Sequence, residues 1–173
     1  MKLKIIANNA INFSINRAIE IVGMAILIAG TLLLASLVSY SPEDPNFIFP
    51  DNTEIKNILG FRGSFTADIF FQSFGVIALL IPFSFIVSGV IIIINKKIFF
   101  VIENVFYTIL YSLFGSLFFS FFYPLAFKLY INGNGGFVGT YLNTTFLNSL
   151  ININSQISYY ILILLTLILF LIS

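Results

Sequence analysis

The sequence predicts an all-α integral membrane protein with four transmembrane helices, and three observations support this fold class. The 173 residues are 59% hydrophobic and only 9% charged, whereas a soluble domain carries about 25% charged residues. The mean hydropathy is +1.05. The apolar residues also form long charge-free runs separated by polar segments, and such runs can cross a hydrocarbon core of about 30 Å as helices.

The runs divide the chain into an N-terminal segment, residues 1–20, and a four-helix membrane domain, residues 21–173. The second run would form a straight helix of about 39 Å, so we expect it to tilt or to kink at Pro82. The last run is still apolar at Ser173, which favours a fragment of a longer protein. The predicted spans lie at about 21–40, 69–94, 104–127 and 157–173.

The distribution of positive charge predicts that both termini are cytoplasmic. Lys and Arg are enriched in cytoplasmic loops. Three of them, Lys2, Lys4 and Arg17, precede the first span, and two more, Lys96 and Lys97, directly follow the second. The two other loops, residues 41–68 and 128–156, hold Lys56, Arg62 and Lys128 and are predicted to face outward. The chain would therefore be a multi-pass protein with an N-in, C-in topology.

The composition also excludes several kinds of chemistry. The chain has no Cys and no His, which removes thiol nucleophiles, imidazole bases and conventional zinc sites. No Lys follows a Gly, so the phosphate-binding loop of nucleotide-binding proteins is missing. We therefore expect no catalytic residue, no cofactor and no metal in this chain. A net charge of +1 is too small to attract nucleic acid, so we expect no nucleic-acid contact by this chain. The expected partner is the lipid bilayer.

Small residues recur at every fourth position within the predicted spans. They are Ser112, Ser116 and Ser120 on the third span, Ser84 and Ser88 on the second, and Ala25 and Ala29 on the first. Small residues at this spacing let helix backbones approach closely in lipid, so we interpret them as helix contacts. The alternative is a solute path, as in a small transporter or channel subunit. That function requires intramembrane polar groups or a discontinuous helix facing a cavity, and the sequence offers few candidates.

The first outward loop carries two turn signals. Pro42 and Pro45 bracket Glu43 and Asp44, which stops the first helix sharply. Towards the end of the loop, Gly60 and Gly63 predict a tight turn with the backbone close to a neighbour. Asp68 follows, and we expect it in the first turn of the second span, where a carboxylate caps a helix.

The second outward loop contains a glycine-rich turn at Gly135, Gly136 and Gly139. The apolar residues that follow have helical spacing and predict a short amphipathic helix at the membrane interface. They are Tyr141, Leu142, Phe146 and Leu150.

Four motifs thus follow one another along the chain. The first is Ser39, Tyr40, Pro42, Asp44 and Pro45; the second is Asn57, Gly60, Gly63, Ala67 and Asp68; the third is Phe74, Gly75 and Pro82; the fourth is Gly135, Gly136 and Gly139. Their order resembles the N-terminal four-helix membrane domain of the FtsK/SpoIIIE family of bacterial DNA translocases, from about residue 17 onward. Ser64 replaces the usual Ala, and Arg62 stands where an uncharged residue or Pro is commoner.

The resemblance implies a function that the residues alone do not. It implies an anchor in the bacterial inner membrane at the division septum, which contacts other membrane proteins of the division machinery and self-associates. The ATP-driven motor, with its ATP and magnesium, would lie outside this chain and act in cell division and chromosome partition. An unrelated small membrane anchor is the other alternative that we weigh.

Overall fold

The computed structural model describes residues 2–45, 54–125 and 132–173, so Lys128 of the second outward loop lies outside the described residues. Within these ranges all regular secondary structure is helical, and four helical segments are long and apolar enough to cross a membrane. The predicted fold class is therefore confirmed. The helices are α1 (Lys2–Val38), α2 (Gly60–Phe74), α3 (Ile81–Asn95), α4 (Phe99–Phe122), α5 (Gly136–Asn143), α6 (Phe146–Ile153) and α7 (Ser155–Ile172).

Helices α1 and α3 pack against each other through glycines. A Cβ atom added to Gly89 would lie 2.7 Å from the Leu27 backbone nitrogen, and one added to Gly23 would lie 3.0 Å from the Gly89 carbonyl oxygen. Backbones approach this closely only where side chains are absent. The predicted contacts at Ala25 and Ala29 are wrong, since both residues are exposed and lie on another face of α1.

An ion-pair cluster joins these two helices at the end of the bundle away from the long loops. The Lys96 ammonium lies 3.0 Å from the Glu20 carboxylate, which also pairs with Arg17. Lys96 adopts a left-handed backbone conformation, with φ of 56°, and its amide closes the last turn of α3 on Ile92. The cluster therefore holds α1 beside the turn between α3 and α4.

The second membrane segment, Gly60–Asn95, is 36 residues long and is bent. A 3₁₀ helix at Gly75–Leu80 separates α2 from α3, and Gly75 has a positive φ of 65°. The bend therefore begins before Pro82, which lies in the first turn of α3, where a proline removes no helical hydrogen bond. From Gly75 to Asn95 the helix is about 35 Å long, enough to cross the membrane without α2.

Helix α2 packs on the last part of α1, at the end of the bundle that carries both long loops, which we call the loop end. The Ser36 hydroxyl donates to the Gly63 carbonyl at 2.5 Å, and the Tyr40 ring lies 4.9 Å from the ring of Phe71. A buried core fills the space beneath α2 and the bend. It consists of Leu33, Leu37, Ala67, Phe71, Ile77, Ala78, Ile81 and Tyr111.

Helix α4 packs against α7 within the bundle and against α5 at the loop end. Where the sequence predicts one amphipathic helix, the structure contains two, α5 and α6. The break occurs at Thr145, whose backbone is extended and whose side chain accepts a hydrogen bond from the Leu147 amide at 3.3 Å. A threonine in this position starts a new helix. Ile151 of α6 is buried against α4, and Phe146 is exposed.

Candidate functional site

Three of the predicted turn residues of the first outward loop, Asp44, Pro45 and Gly63, lie together at the end of α1 in a hydrogen-bonded group that we call the first-loop cluster. Pro42 and Gly60 are not part of it. The group links α1, the two described ends of the loop and α2. Its members are Ser36, Ser39, Tyr40, Asp44, Pro45, Asn57, Gly63, Ser64 and Asp68.

Asp44 closes the loop. The residue is 1% exposed, and its carboxylate accepts two backbone hydrogen bonds, from the Lys56 amide at 2.8 Å and from the Asn57 amide at 2.9 Å. A carboxylate has two oxygens and can satisfy both amides at once. The neighbouring Glu43 instead forms an exposed ion pair with the Lys56 ammonium, whose hydrogen bond lowers the pKa of the Glu43 carboxyl.

The side chain of Asn57 caps the C-terminus of α1, although this residue is not among the predicted site residues. Its side-chain amide donates to the carbonyls of Ser36 at 2.9 Å and Ser39 at 3.3 Å. These carbonyls lie in and directly after the last turn of α1, where a helix has no internal donors left. Its place in the second motif was the available signal, but its hydrogen-bond partners lie about twenty residues away in the sequence.

The two glycines of the predicted turn have different functions. Gly60 has a positive φ of 64°, and no atom lies within 4 Å of a Cβ built there. It is needed for its backbone conformation. Gly63 has an ordinary helical backbone, but a Cβ there would lie 2.1 Å from the Asn57 side-chain oxygen. The absence of a side chain at Gly63 therefore leaves room for the side chain of Asn57.

The two prolines and Asp68 differ in their surroundings. Pro42 is exposed in a turn, whereas Pro45 is buried and its carbonyl accepts a hydrogen bond from the Ser64 hydroxyl at 3.1 Å. Asp68 accepts hydrogen bonds from the Tyr40 hydroxyl at 3.3 Å and the Gln72 amide at 3.4 Å.

The predicted capping role of Asp68 is wrong, because α2 begins at Gly60 and places Asp68 in the helix interior. The sequence pattern places the helix start at residue 69, where the charge-free run begins. Helix α2 lies at the loop end, where the Asp68 carboxylate finds hydrogen-bond donors. A charged residue can therefore lie inside this helix, and the helix begins before the charge-free run.

A second group, the glycine crossing, joins the second outward loop to the bend between α2 and α3. Gly75 and Gly136 have positive φ values of 65° and 64°, and the Val76 amide donates to the Asn134 carbonyl at 2.9 Å. A Cβ on Gly75 would lie 1.9 Å from the Asn134 carbonyl oxygen, and one on Gly136 would lie 2.5 Å from the Gly75 nitrogen. The two backbones are therefore in direct contact.

Asn134 is the central residue of this crossing and was missed in the sequence. It is fully buried, its backbone amide donates to the Pro124 carbonyl at 3.3 Å, and its side-chain amide donates to the Tyr123 carbonyl. Nearby, Asn132 donates to the Gln72 carbonyl at 3.3 Å. Because Gln72 also bonds to Asp68, the first-loop cluster and the glycine crossing form one connected unit.

The serines of α4 contact α5 at this crossing. A Cβ on Gly139 would lie 2.2 Å from the Ser116 carbonyl oxygen, and one on Gly135 would lie 2.6 Å from the Ser120 Cβ. The Ser116 hydroxyl also donates to the Phe74 carbonyl at 3.0 Å, at the bend. These glycines and serines thus bring a loop helix, rather than another span, against α4.

The remaining serines lie deeper in the bundle. The Ser84 hydroxyl lies 3.0 Å from the Tyr111 hydroxyl, and the Ser84 carbonyl accepts a hydrogen bond from the Asn104 amide at 3.1 Å. The hydroxyl oxygens of Ser88 and Ser112 are buried and have no hydrogen-bond partner among the described residues. These groups are neutral hydroxyls and amides.

We expect the hydroxyl of Ser116 to contribute to stability and that of Ser112 not to. Replacing Ser116 with Ala removes the hydrogen bond to Phe74 and should lower the free energy of unfolding by about 1 kcal/mol. Ser112→Ala, the matched control, removes a buried hydroxyl that has no partner among the described residues and should be neutral or slightly stabilising. Unfolding in mixed detergent micelles measures both values, and equal losses would contradict the assignment.

A bundle of four membrane-spanning segments, with two long loops joined at one end, defines a multi-pass membrane domain. The family described as the 4TM region of DNA translocase FtsK/SpoIIIE matches residues 16–173. The chain therefore belongs to this family, as the motifs in its loops predict.

Two curated relatives carry the name DNA translocase FtsK. The protein of Rickettsia bellii (strain RML369-C) is 39% identical over 62 residues, which are 36% of this chain and 8% of that relative. The protein of Rickettsia typhi (strain ATCC VR-144 / Wilmington) is 33% identical over 86 residues, which are 50% of this chain and 10% of that relative. The chain thus matches only a small part of each relative. No solved structure matches it.

Proposed function

We propose that this chain is the membrane anchor of an FtsK-like DNA translocase and holds that enzyme at the division septum of the bacterial inner membrane. The observation that carries the proposal is the family match over residues 16–173. The DNA-translocating motor would lie outside these residues and would bind ATP and magnesium there. Its action would serve cell division and chromosome segregation.

The surface of the loop end supports recognition of membrane proteins. Phe61 of α2 is 49% exposed, and Phe137 and Tyr141 of α5 are 61% and 62% exposed. The rings of Phe137 and Tyr141 are stacked, with centroids 6.2 Å apart. Exposed aromatic residues are enriched at protein interfaces, and here they stand on helices held by the glycine crossing. We propose that division proteins, or a second copy of the chain, contact this surface.

A fluorescent fusion of the chain, expressed in dividing rod-shaped bacteria, tests both parts of the proposal. The parent chain should gather at midcell. The double variant Phe137→Ser, Tyr141→Ser should remain in the membrane at normal levels but spread evenly, because it changes exposed side chains and no buried contact. Lys97→Ser, exposed in the turn between α3 and α4, is the control and should keep the midcell signal.

Two results would contradict one or the other part of this proposal. An even membrane signal from the parent chain would refute septal anchoring by these residues. A midcell signal that survives in the double variant would leave the anchor intact and place its contacts elsewhere.

We further propose that the loop end faces away from the cytoplasm, in agreement with the distribution of Lys and Arg. The chain contains no Cys, so single cysteines label cleanly. Cysteines introduced at the exposed positions Glu54 and Asn152 should react with an impermeant thiol reagent in intact cells. A cysteine introduced in place of Lys97 should react only after lysis. The reverse pattern would contradict the orientation.

A further inference from the structure

A groove of about 410 Å³ runs between α1 and the start of α2. Ala29, Leu32 and Leu33 of α1 and Leu59 before α2 provide apolar walls, and Arg62 lines the groove with them. Leu32 is 49% exposed and Leu59 is 36% exposed, so the groove is open on its side. An open apolar groove in a membrane-spanning bundle faces lipid.

Arg62 lies in an electrostatically unfavourable position. It is the third residue of α2, and the first turn of a helix carries a partial positive charge that disfavours a cation. Arg62 forms no ion pair with any described residue. Two carboxylates of the same loop have other partners, since Asp44 accepts from two backbone amides and Glu43 pairs with Lys56. A guanidinium and a helix N-terminus at one place together favour an anion.

The position of Arg62 relative to the membrane indicates which kind of anion the groove would bind. The residue after Arg62 is bonded to Ser36 in the last turns of α1, so Arg62 lies at the level where the membrane domain meets its loop. Leu32 and Ala29 lie one and two turns further into the bundle, about 10 Å below Ser36 along α1. The groove therefore combines a cation at headgroup level with an apolar channel beneath it.

We propose that this groove binds one anionic phospholipid from the leaflet at the loop end. The headgroup phosphate would accept hydrogen bonds from the Arg62 guanidinium and from the first amides of α2. One acyl chain would lie along Leu32 and Ala29. This site is independent of the proposed septal function and needs no protein partner.

The chain contains no Trp, so a single introduced tryptophan reports on this groove alone. The purified full-length chain carrying Leu32→Trp would be reconstituted in vesicles of phosphatidylcholine with a minor fraction of phosphatidylglycerol. In one sample the phosphatidylglycerol carries brominated acyl chains, which quench tryptophan. In the other, an equal fraction of phosphatidylcholine is brominated instead. We expect the anionic lipid to be enriched about fivefold around the introduced tryptophan over its bulk fraction.

Three variants complete the test. Arg62→Gln in the Leu32→Trp background should abolish the preference for phosphatidylglycerol, whereas Arg62→Lys should keep part of it. Ile161→Trp, in α7 about six residues below the loop end and 51% exposed, should show equal quenching by both lipids.

Any of three results would overturn the proposal. The first is equal quenching of the Leu32→Trp protein by both lipids when Arg62 is intact. The second is a preference that survives Arg62→Gln. The third is quenching that falls as the protein-to-lipid ratio rises, which would indicate that a second copy of the chain fills the groove.

Discussion

Replacing Gly75 with Ala should destabilise this domain more than any other single methyl addition at a loop-end glycine. The added Cβ would lie 1.9 Å from the Asn134 carbonyl oxygen, at a residue with a φ of 65°. The contact is with backbone, so no side chain can rotate away, and the crossing between the bend and the second loop must separate. We expect a loss of about 4 kcal/mol or more in the free energy of unfolding.

Gly60→Ala is the matched control, because it separates strain from overlap. Gly60 has nearly the same φ, 64°, but no atom lies within 4 Å of its Cβ position. Only the left-handed conformation is penalised there, by about 1–2 kcal/mol. The midpoint of thermal unfolding in a mild detergent compares the two variants. Similar midpoints would show that the close approach of Gly75 to Asn134 does not contribute to stability.

Replacing Asp44 with Ala should open the first-loop cluster. The change removes the two carboxylate oxygens to which the backbone amides of Lys56 and Asn57 donate, one oxygen for each amide. The Asn57 amide is buried and the Lys56 amide is part-buried. A buried amide without a partner costs about 1–3 kcal/mol and a part-buried one costs less, so we expect a total loss of about 3 kcal/mol. Asp44→Asn should be nearly as damaging, because the amide group that replaces one carboxylate oxygen is a donor facing a donor.

Glu43→Gln is the neighbouring control, since it removes a charge of the same sign from the next residue. The Glu43 side chain is 73% exposed in its ion pair with Lys56, and pairs of this kind contribute little to stability. We expect no measurable change in the unfolding midpoint. Proteolysis of the loop gives a second readout, because Asp44→Ala should accelerate cleavage between Asp44 and Lys56, whereas Glu43→Gln should not. Equal behaviour of the two variants would exclude the proposed closure by Asp44.

These two predictions concern residues that the sequence marks but does not explain. Pro42, Asp44 and Pro45 are recognisable as a helix stop, and Gly60 and Gly63 as a turn, because their backbone preferences are local properties. That Asp44 binds the amides of Lys56 and Asn57 is not a local property. The partners lie 12 and 13 residues away, and an acidic residue between prolines would fit an exposed turn equally well.

The helix contacts show the same limit. Ala25 and Ala29 have a spacing typical of a packing face, and Gly23 and Gly30 lie two turns apart on another face of the same helix. Only the position of α3 selects between these faces, because small residues permit close approach wherever a partner happens to lie. The glycines contact α3, and the alanines are exposed.

The sequence alone determined that this is a four-span membrane domain, because charge-free runs of about twenty residues are long enough to cross a bilayer as helices. It also carried the motifs that identify the family. The tertiary structure decided that the second segment bends at Gly75, that α2 caps the loop end, and that Asn134 joins the second loop to the bend. Those features depend on hydrogen bonds and backbone contacts between residues far apart in the chain, which no local pattern specifies.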